Sequence, residues 1–427
     1  MILPYVYVNL ACPALERFRA IHPTRITTEP FPLMSRVRPV SRWWSQTGDS
    51  ARTIKGGRMR TRWHRGATLL GTGAVSTALI FGWSTTANAS PHDGSDDVAI
   101  TQTNLVSDQA GHAPLVDPSL VNPWGMSFGA ATPVWVSDNG QNVSTLYSGA
   151  ATPPSFAKIP LTVSIPGGEP TGQVFNSSPT DFVVTSGAAS GAAKFIFDSE
   201  AGWISGWNPT VPAPSSTQAT PAVQIRNAVF KGLALASVNG ANFLYATDFH
   251  HAKVDVFDST FGLQHWSGAF RDKAIPSGYA PFNIQLLNGN LYVTYAKQDA
   301  AKHDDVPARG HGFVDVFTTG GQLVKRLVRR GSLDSPWGLA IAPSSWGELA
   351  GSLLVGNFGN GEIHAYDATT GAPHGALRDA HGKRIAIDGL WGLLPGNGVA
   401  ATPQSVIFSA GPDGEMHGLV GVLQVAA

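Results

Sequence analysis

The densest run of chemistry-bearing side chains is Tyr295-Ala296-Lys297-Gln298-Asp299-Ala300-Ala301-Lys302-His303-Asp304-Asp305, which continues through Pro307 and Arg309 to Gly310-His311-Gly312. It is long, highly charged and mixed in sign. Loops of this length inside a compact domain are usually functional or disordered. One reading makes it a lid or ligand clamp, with Lys297, Asp299, His303, Asp304 and Asp305 as its binding groups. The other makes it a solvated loop whose charges pair with one another.

A second set of side chains is spread along the chain. Ser137-Asp138-Asn139-Gly140-Gln141-Asn142, Asp198-Ser199-Glu200, Thr247-Asp248-Phe249-His250-His251 and Gly356-Asn357-Phe358-Gly359-Asn360 each follow an apolar run, as does Ala410-Gly411-Pro412-Asp413-Gly414-Glu415-Met416-His417. Each supplies a carboxylate or carboxamide at a similar place. If the fold gathers these connections, Asp138, Asp248, His250 and Asn357 are the candidate metal ligands. Oxygen donors with one imidazole would suit Ca²⁺ or another hard divalent cation. Asp, Asn and Gly are also what tight turns require, so no cofactor is certain from these residues. There is no Gly-x-Ser-x-Gly elbow, His-Glu-x-x-His pair, phosphate-binding loop or dinucleotide fingerprint.

What positions these groups is a repeated phrase. Asn122-Pro123-Trp124-Gly125-Met126, Ser335-Pro336-Trp337-Gly338-Leu339 and Gly389-Leu390-Trp391-Gly392-Leu393 share one form. Weaker copies are Pro170-Thr171-Gly172-Gln173-Val174, Phe230-Lys231-Gly232-Leu233-Ala234 and Ala280-Pro281-Phe282-Asn283-Ile284. Counted from Pro123, Pro170, Phe230, Pro281, Pro336 and Leu390, the third positions of these six openers (Gly125, Gly172, Gly232, Asn283, Gly338 and Gly392) are 47, 60, 51, 55 and 54 residues apart. A near-fixed period of this kind marks an array of one structural unit. Between openers the apolar runs are short, β-branched or aromatic, and bounded by Gly, Asn and Asp, which predicts strands. The expected fold is all-β, a six-bladed β-propeller of four-stranded antiparallel blades. The last unit is about one strand short. The segment from Ala99 to Val106 would supply that strand and close the ring, removing an open sheet edge.

In such blades the connections between second and third strands share one face of the disc with the openers. That face is expected to carry acidic and amide groups around the central channel, suited to a cation or a polyhydroxylated ligand. Asn283 stands where the other openers have glycine. It either adopts a left-handed backbone or turns its amide into the channel as a ligand-binding group. Trp124, Trp337 and Trp391 are expected to pack between blades. Phe182 to Thr185 reads as an insertion in the second unit, and Asn208 to Pro221 as an outer loop.

The balanced charge of the chain hides two unlike parts. Residues 1–89 carry 12 Lys and Arg against 3 Asp and Glu, whereas residues 90–427 have a net charge of −9. The mildly acidic body offers no basic stripe for nucleic acid. Met59 to Arg65 is basic, Gly66 to Trp83 is apolar, and Ala87-Asn88-Ala89 is a small-x-small cleavage site. Together they predict a secretory signal peptide over 59–89, cleaved before Ser90. Residues 1–58 read as an unstructured upstream extension or a mis-assigned start, 90–98 as a linker and 99–427 as the propeller. The sole cysteine, Cys12, falls upstream, so disulfides and thiol chemistry are excluded from the body. Only two alanines follow Val425, so no C-terminal anchor is expected.

From Asn104 onward the chain resembles an uncharacterised family of exported bacterial six-bladed propellers of the NHL-repeat and YncE-like kind, some with a C-terminal sorting signal. The matching runs include Asn104-Leu105-Val106-Ser107-Asp108-Gln109, Ile204-Ser205-Gly206-Trp207-Asn208-Pro209 and Ala280-Pro281-Phe282-Asn283-Ile284-Gln285. Tyr292 to Asp299, Lys302-His303-Asp304-Asp305 and Asp388 to Leu393 also match. The resemblance implies the fold and export, to the cell envelope, periplasm or medium. It implies no activity. The expected role is therefore a binding module for a small molecule, glycan or protein, monomeric and free of the membrane once cleaved. The alternative is a metal-dependent hydrolase or lyase of the lactonase kind, with the metal at the channel mouth, on fold analogy alone.

Overall fold

A computed structural model describes residues 98–149 and 156–426. The segments 1–58 and 59–89, and all of 90–98 except Val98, lie outside the described residues. Strands β1 (Ile100–Ser107) and β2 (Leu115–Val116) come first but belong to the last blade. Blade 1 is β3 (Pro123–Ser127), β4 (Val134–Asp138), β5 (Val143–Ser148) and β6 (Ala157–Ser164). Blade 2 is β7 (Pro170–Phe175), β10 (Phe195–Ser199), β11 (Trp203–Trp207) and β12 (Thr220–Gln224). An inserted hairpin, β8 (Val183–Ser186) and β9 (Ala189–Ala192), lies between β7 and β10. Blade 3 runs through β13 (Phe230–Val238), β14 (Ala241–Asp248), β15 (Lys253–Phe257) and β16 (Leu263–Gln264). Blade 4 has β17 (Tyr279–Leu287), β18 (Asn290–Lys297), β19 (Gly312–Phe317) and β20 (Leu323–Arg329). Blade 5 has β21 (Pro336–Ile341), β22 (Leu353–Asn357), β23 (Ile363–Tyr366) and β24 (Pro373–Ala376). Blade 6 is β25 (Leu390–Pro395), β26 (Val406–Ala410) and β27 (Leu419–Val425), completed by β1 and the short parallel β2.

The ring is thus closed by the N-terminal strand. β1 pairs antiparallel with β27 from Ile100 opposite Val425 to Ser107 opposite Leu419. Among the described residues no helix is long and apolar enough to cross a membrane.

Because side chains alternate along a strand, each blade sends one set to each neighbour. Leu339 packs toward blade 4 with Val314 and Tyr292, whereas the next residue, Ala340, packs toward blade 6 with Leu390 and Val406. The interior is therefore six apolar layers between successive blades, and a seventh cluster on the axis.

The openers acquire a common physical meaning. In every blade the pairing of the first strand with the second slips at the opener, as between Pro123 and Met126, Phe230 and Leu233, or Leu390 and Leu393. These are β-bulges, which re-aim side chains locally. The residue before the opener is left-handed in four blades, at Asn122, Glu169, Ser335 and Gly389, with φ of 48°, 48°, 46° and 63°. The third-position glycines let neighbouring inner strands close on one another. A Cβ on Gly172 would run into the backbone nitrogen of Leu233, and one on Gly232 into the Asn283 side chain. Asn283 itself is not among the residues with positive φ. Its backbone is ordinary, and the left-handed alternative is set aside.

Candidate functional site at the loop-face mouth

The second opener position supplies one residue per blade at the loop end of the inner strands: Trp124, Thr171, Lys231, Phe282, Trp337 and Trp391. Five of them meet on or beside the axis. Trp391 stacks on Trp124 at 3.4 Å between ring centroids and on Phe358 at 3.9 Å. Trp337 meets Trp124 and Trp391 edge-on at 6.0 and 5.9 Å, and Phe282 meets Trp391 at 5.9 Å. Trp124, Phe282, Trp337 and Trp391 are buried. The tryptophans were expected between blades. They pack on one another across the axis instead, because the bulges turn them inward.

Lys231 sits against this aromatic plug, its ammonium 5.1 Å from the Trp124 ring centroid. The side chain is 2 % exposed and pairs with Glu200 and, at 3.3 Å, with Asp304. Burial would depress the ammonium, but the two carboxylates carry its pKa above the ordinary lysine value, so it stays charged. From there a polar chain crosses the face. Asn139 Nδ2 donates to Glu200 at 3.0 Å, and Asn122 Nδ2 donates to Asn139 at 3.3 Å and to Glu415 at 2.7 Å. Trp391 Nε1 donates to Asn122 Oδ1 at 3.0 Å, and Trp337 Nε1 donates to the Lys231 carbonyl at 2.9 Å, tying the chain to the plug. On the far side His303 Nδ1 lies 2.9 Å from Asp304 Oδ1.

The carboxyls differ in charge state. Burial pushes Asp305 up to about 6, against the pull of Ser335 and Lys231. Burial also raises Glu415, and the Glu200 and Asp304 carboxylates add to it. For Asp304 burial acts in the same direction but loses, since Lys231 and His303 hold its carboxyl below the usual range. The mouth therefore combines a buried ammonium, an Asp304 carboxylate held below the usual range and an Asp305 carboxyl that keeps its proton into the weakly acidic range.

The connection between β18 and β19 is a compact turn. Asp299 accepts from the backbone N–H of His303 at 2.9 Å and of Asp304 at 3.3 Å, and Val306 N–H closes on the Lys297 carbonyl at 2.8 Å. The turn delivers His303, Asp304 and Asp305 to the mouth. Asp299 shapes it, and Lys297 ends β18. Asn283 lies in the wall of the central channel, where its amide donates to the Trp337 carbonyl at 2.8 Å.

The candidate metal set does not assemble. Asp138 is fully buried at the end of β4, near Asp117, Lys158 and Thr145, and burial raises its pKa well above the carboxylate range. Asp248 binds its own turn through the His251 backbone N–H at 3.1 Å and ring Nδ1 at 2.6 Å. His250 lies edge-on to His251, with ring centroids 5.0 Å apart. Asn357 accepts from Asp334 N–H at 3.1 Å and donates to the Ser332 carbonyl at 2.9 Å. The reason is geometric. Asp138, Asp248 and Asn357 each end a second strand, one strand out from the axis, and all three are fully buried. Among the described residues, the group spaced to hold a cation is Glu200, His303 and Asp304, whose ligand atoms lie within 4.8 Å of one another. Lys231 already pairs with two of the three.

No family model matches the sequence. The chain is 32 % identical over 324 residues to an uncharacterised protein of Acanthamoeba polyphaga mimivirus, covering 74 % of this chain and 78 % of that protein. A second uncharacterised mimivirus protein is 32 % identical over 329 residues, covering 75 % and 84 %. Among solved structures, a catalytically inactive virginiamycin B lyase from Staphylococcus aureus with quinupristin covers 77 % of this chain and 100 % of its own, at 11 % identity and a TM-score of 0.41. A protein of unknown function from Bacteroides thetaiotaomicron covers 76 % of each, at 11 % identity and a TM-score of 0.42. Likenesses that distant carry no argument about activity. The sequence resemblance pointed to bacterial propellers, whereas these curated relatives are viral. The six-bladed propeller is the part of it that stands.

Proposed function

This chain belongs to the same family as the two mimivirus proteins, and we propose that it is a binding module whose ligand docks at the loop-face mouth. The supporting observation is the unbroken polar chain from Glu415 through Asn122, Asn139, Glu200 and Lys231 to Asp304, set over a buried aromatic floor. Acceptors predominate there, so the fitting ligand is rich in hydrogen-bond donors: a polyhydroxylated or amino-bearing small molecule, such as a glycan. The tryptophans lie too deep to stack on it. The buried ammonium is neutralised on two sides, which argues against a lysine nucleophile. The direct experiment is calorimetric titration with neutral oligosaccharides, amino sugars and linear polyamines, repeated on Glu200→Gln. Binding that weakens at least tenfold in the variant supports the reading, and no binding across the panel sinks it.

A second reading, metal-dependent hydrolysis or lysis, is favoured by the spacing of Glu200, His303 and Asp304. It requires a divalent cation to displace the Lys231 ammonium. Saturable binding of Ca²⁺ or Mn²⁺ to the unaltered chain, with a raised melting temperature, would support it. Export and a monomeric state are likewise proposals, export resting on the basic, apolar and small-residue pattern of 59–89. N-terminal sequencing of secreted protein should begin at Ser90, and retention of Met59 would count against cleavage.

A further inference from the structure

We propose that the central channel is a second binding site, separate from the loop-face mouth, for an uncharged and largely apolar small molecule. Below the aromatic plug the channel holds a cavity of about 380 Å³. That is room for about a dozen waters at ~30 Å³ each, and it lies in the range of small-molecule pockets. None of the residues lining it is charged, although the surrounding body carries a net charge of −9. Trp337 and Asn283 mark the end at the plug. The other end is framed by Phe128, Phe175, Leu235, Leu286 and Leu394, all partly exposed, with Leu286 at 40 %.

The wall carries no charge to answer an ion, and its free strand edges present backbone groups to an uncharged occupant. β3, β7, β13, β17, β21 and β25 each end their sheet order, so one edge of each inner strand is left without a strand partner. Near the plug the inner-strand carbonyls of Gly125 and Trp337 are answered by side chains. Gln173 Nε2 donates to the Gly125 carbonyl at 2.7 Å and to the Trp135 carbonyl at 3.0 Å. Asn283 Nδ2 donates to the Trp337 carbonyl at 2.8 Å, while its Oδ1 accepts from the Ile284 N–H at 2.8 Å. An ion entering this space would shed its hydration without finding a counter-charge. An uncharged body avoids that cost, packs its apolar part against the aliphatic and aromatic rim, and can bond the free strand edges through a hydroxyl or amide.

The test is a fluorescence titration of the full chain with Nile red, an uncharged apolar dye, followed by displacement with octanol, octanoate and octylamine at neutral pH. The three competitors share one apolar body and differ in charge. Nile red binds saturably at one site, and octanol displaces it at least tenfold more effectively than either ion. Leu286→Trp narrows the open end and weakens the dye at least tenfold with melting unchanged. Should that variant fold poorly, Leu286→Lys places a cation at an already exposed position and shifts preference toward octanoate by at least tenfold. The proposal is overturned by a channel that holds only water and takes no dye, by equal displacement with all three competitors, or by rim variants that leave dye binding untouched.

Discussion

Lys231 and Trp124 lie in cation–π contact, 5.1 Å from ammonium to ring centroid, although one opens blade 3 and the other blade 1. Both hold the second position of their openers, and the same bulge that turns the tryptophan inward turns the lysine inward. The mouth thus carries a cation tethered to the backbone, where Glu200, His303 and Asp304 would otherwise face one another.

Replacing that cation is the sharpest test. Lys231→Met leaves buried carboxylate charge unanswered, which costs about 3–5 kcal/mol when one partner of a buried pair is removed. The expected result is a urea midpoint well below the parent's at neutral pH and partly restored near pH 5, where Asp305, pushed up to about 6 by burial, holds its proton. Added Mn²⁺ should raise the melting temperature of the variant and leave the parent unchanged. An equal gain in both would favour the metal reading.

Stability should fall as pH rises from about 4 to about 7. Burial pushes Asp198 and Asp315 up to about 7 and Asp305 to about 6. Unfolded aspartates lose their protons near pH 3.9, so between that value and about 7 the folded chain binds more protons than the unfolded one. The stabilisation is full at the acid end and lost as pH climbs through the folded values. Below about pH 4 the slope reverses, because Asp117 and Asp304 have lowered values and lose their pairing when protonated. Urea midpoints across this range check the sign. Asp198→Asn, which can still accept from Thr171 Oγ1, should flatten the curve.

Deleting residues 98–108 should abolish cooperative melting. β1 buries Ile100, Leu105 and Val106, each worth about 1.5–3 kcal/mol, and β27 would keep an unpaired edge. That sum approaches the whole stability of an ordinary domain. A truncated chain with an unchanged transition would refute ring closure as a stabilising element.

Gly172→Ala should destabilise by about 1–3 kcal/mol through overpacking, since the added carbon meets the backbone of Leu233 rather than a flexible side chain. A neutral effect in a thermal melt would mean that the inner strands of blades 2 and 3 can separate without cost.

The fold was legible because blade number, strand order and closure all reside in periodic local signals. The opener phrase recurs, and alternation within Val254-Asp255-Val256-Phe257 or Val314-Asp315-Val316-Phe317 marks third strands that recur in β15 and β19. The mouth was legible only in part. His303, Asp304 and Asp305 stood out because charge is dense in a long connection. Lys231 did not, since one lysine in Phe230-Lys231-Gly232 looks like a solvated flank until the bulge shows which way it points. Glu200 and Glu415 were visible as turn residues, with nothing local to aim them at the axis. Asp138 and Asp248 misled for the converse reason: a carboxylate ending a strand looks ready for a ligand, whereas the neighbouring layers bury it.

The pairing of β1 with β27 also sets a clock on assembly. The first described strand of the chain is made early and finds its partner only when the last is made, nearly the full length of the propeller later. Five blades can form as local hairpin stacks while synthesis proceeds, but blade 6 cannot. Until then β1 is an exposed strand edge in search of a mate, and a neighbouring chain's β27 would serve as well as its own. Crowded synthesis should therefore yield strand-exchanged dimers as its characteristic by-product.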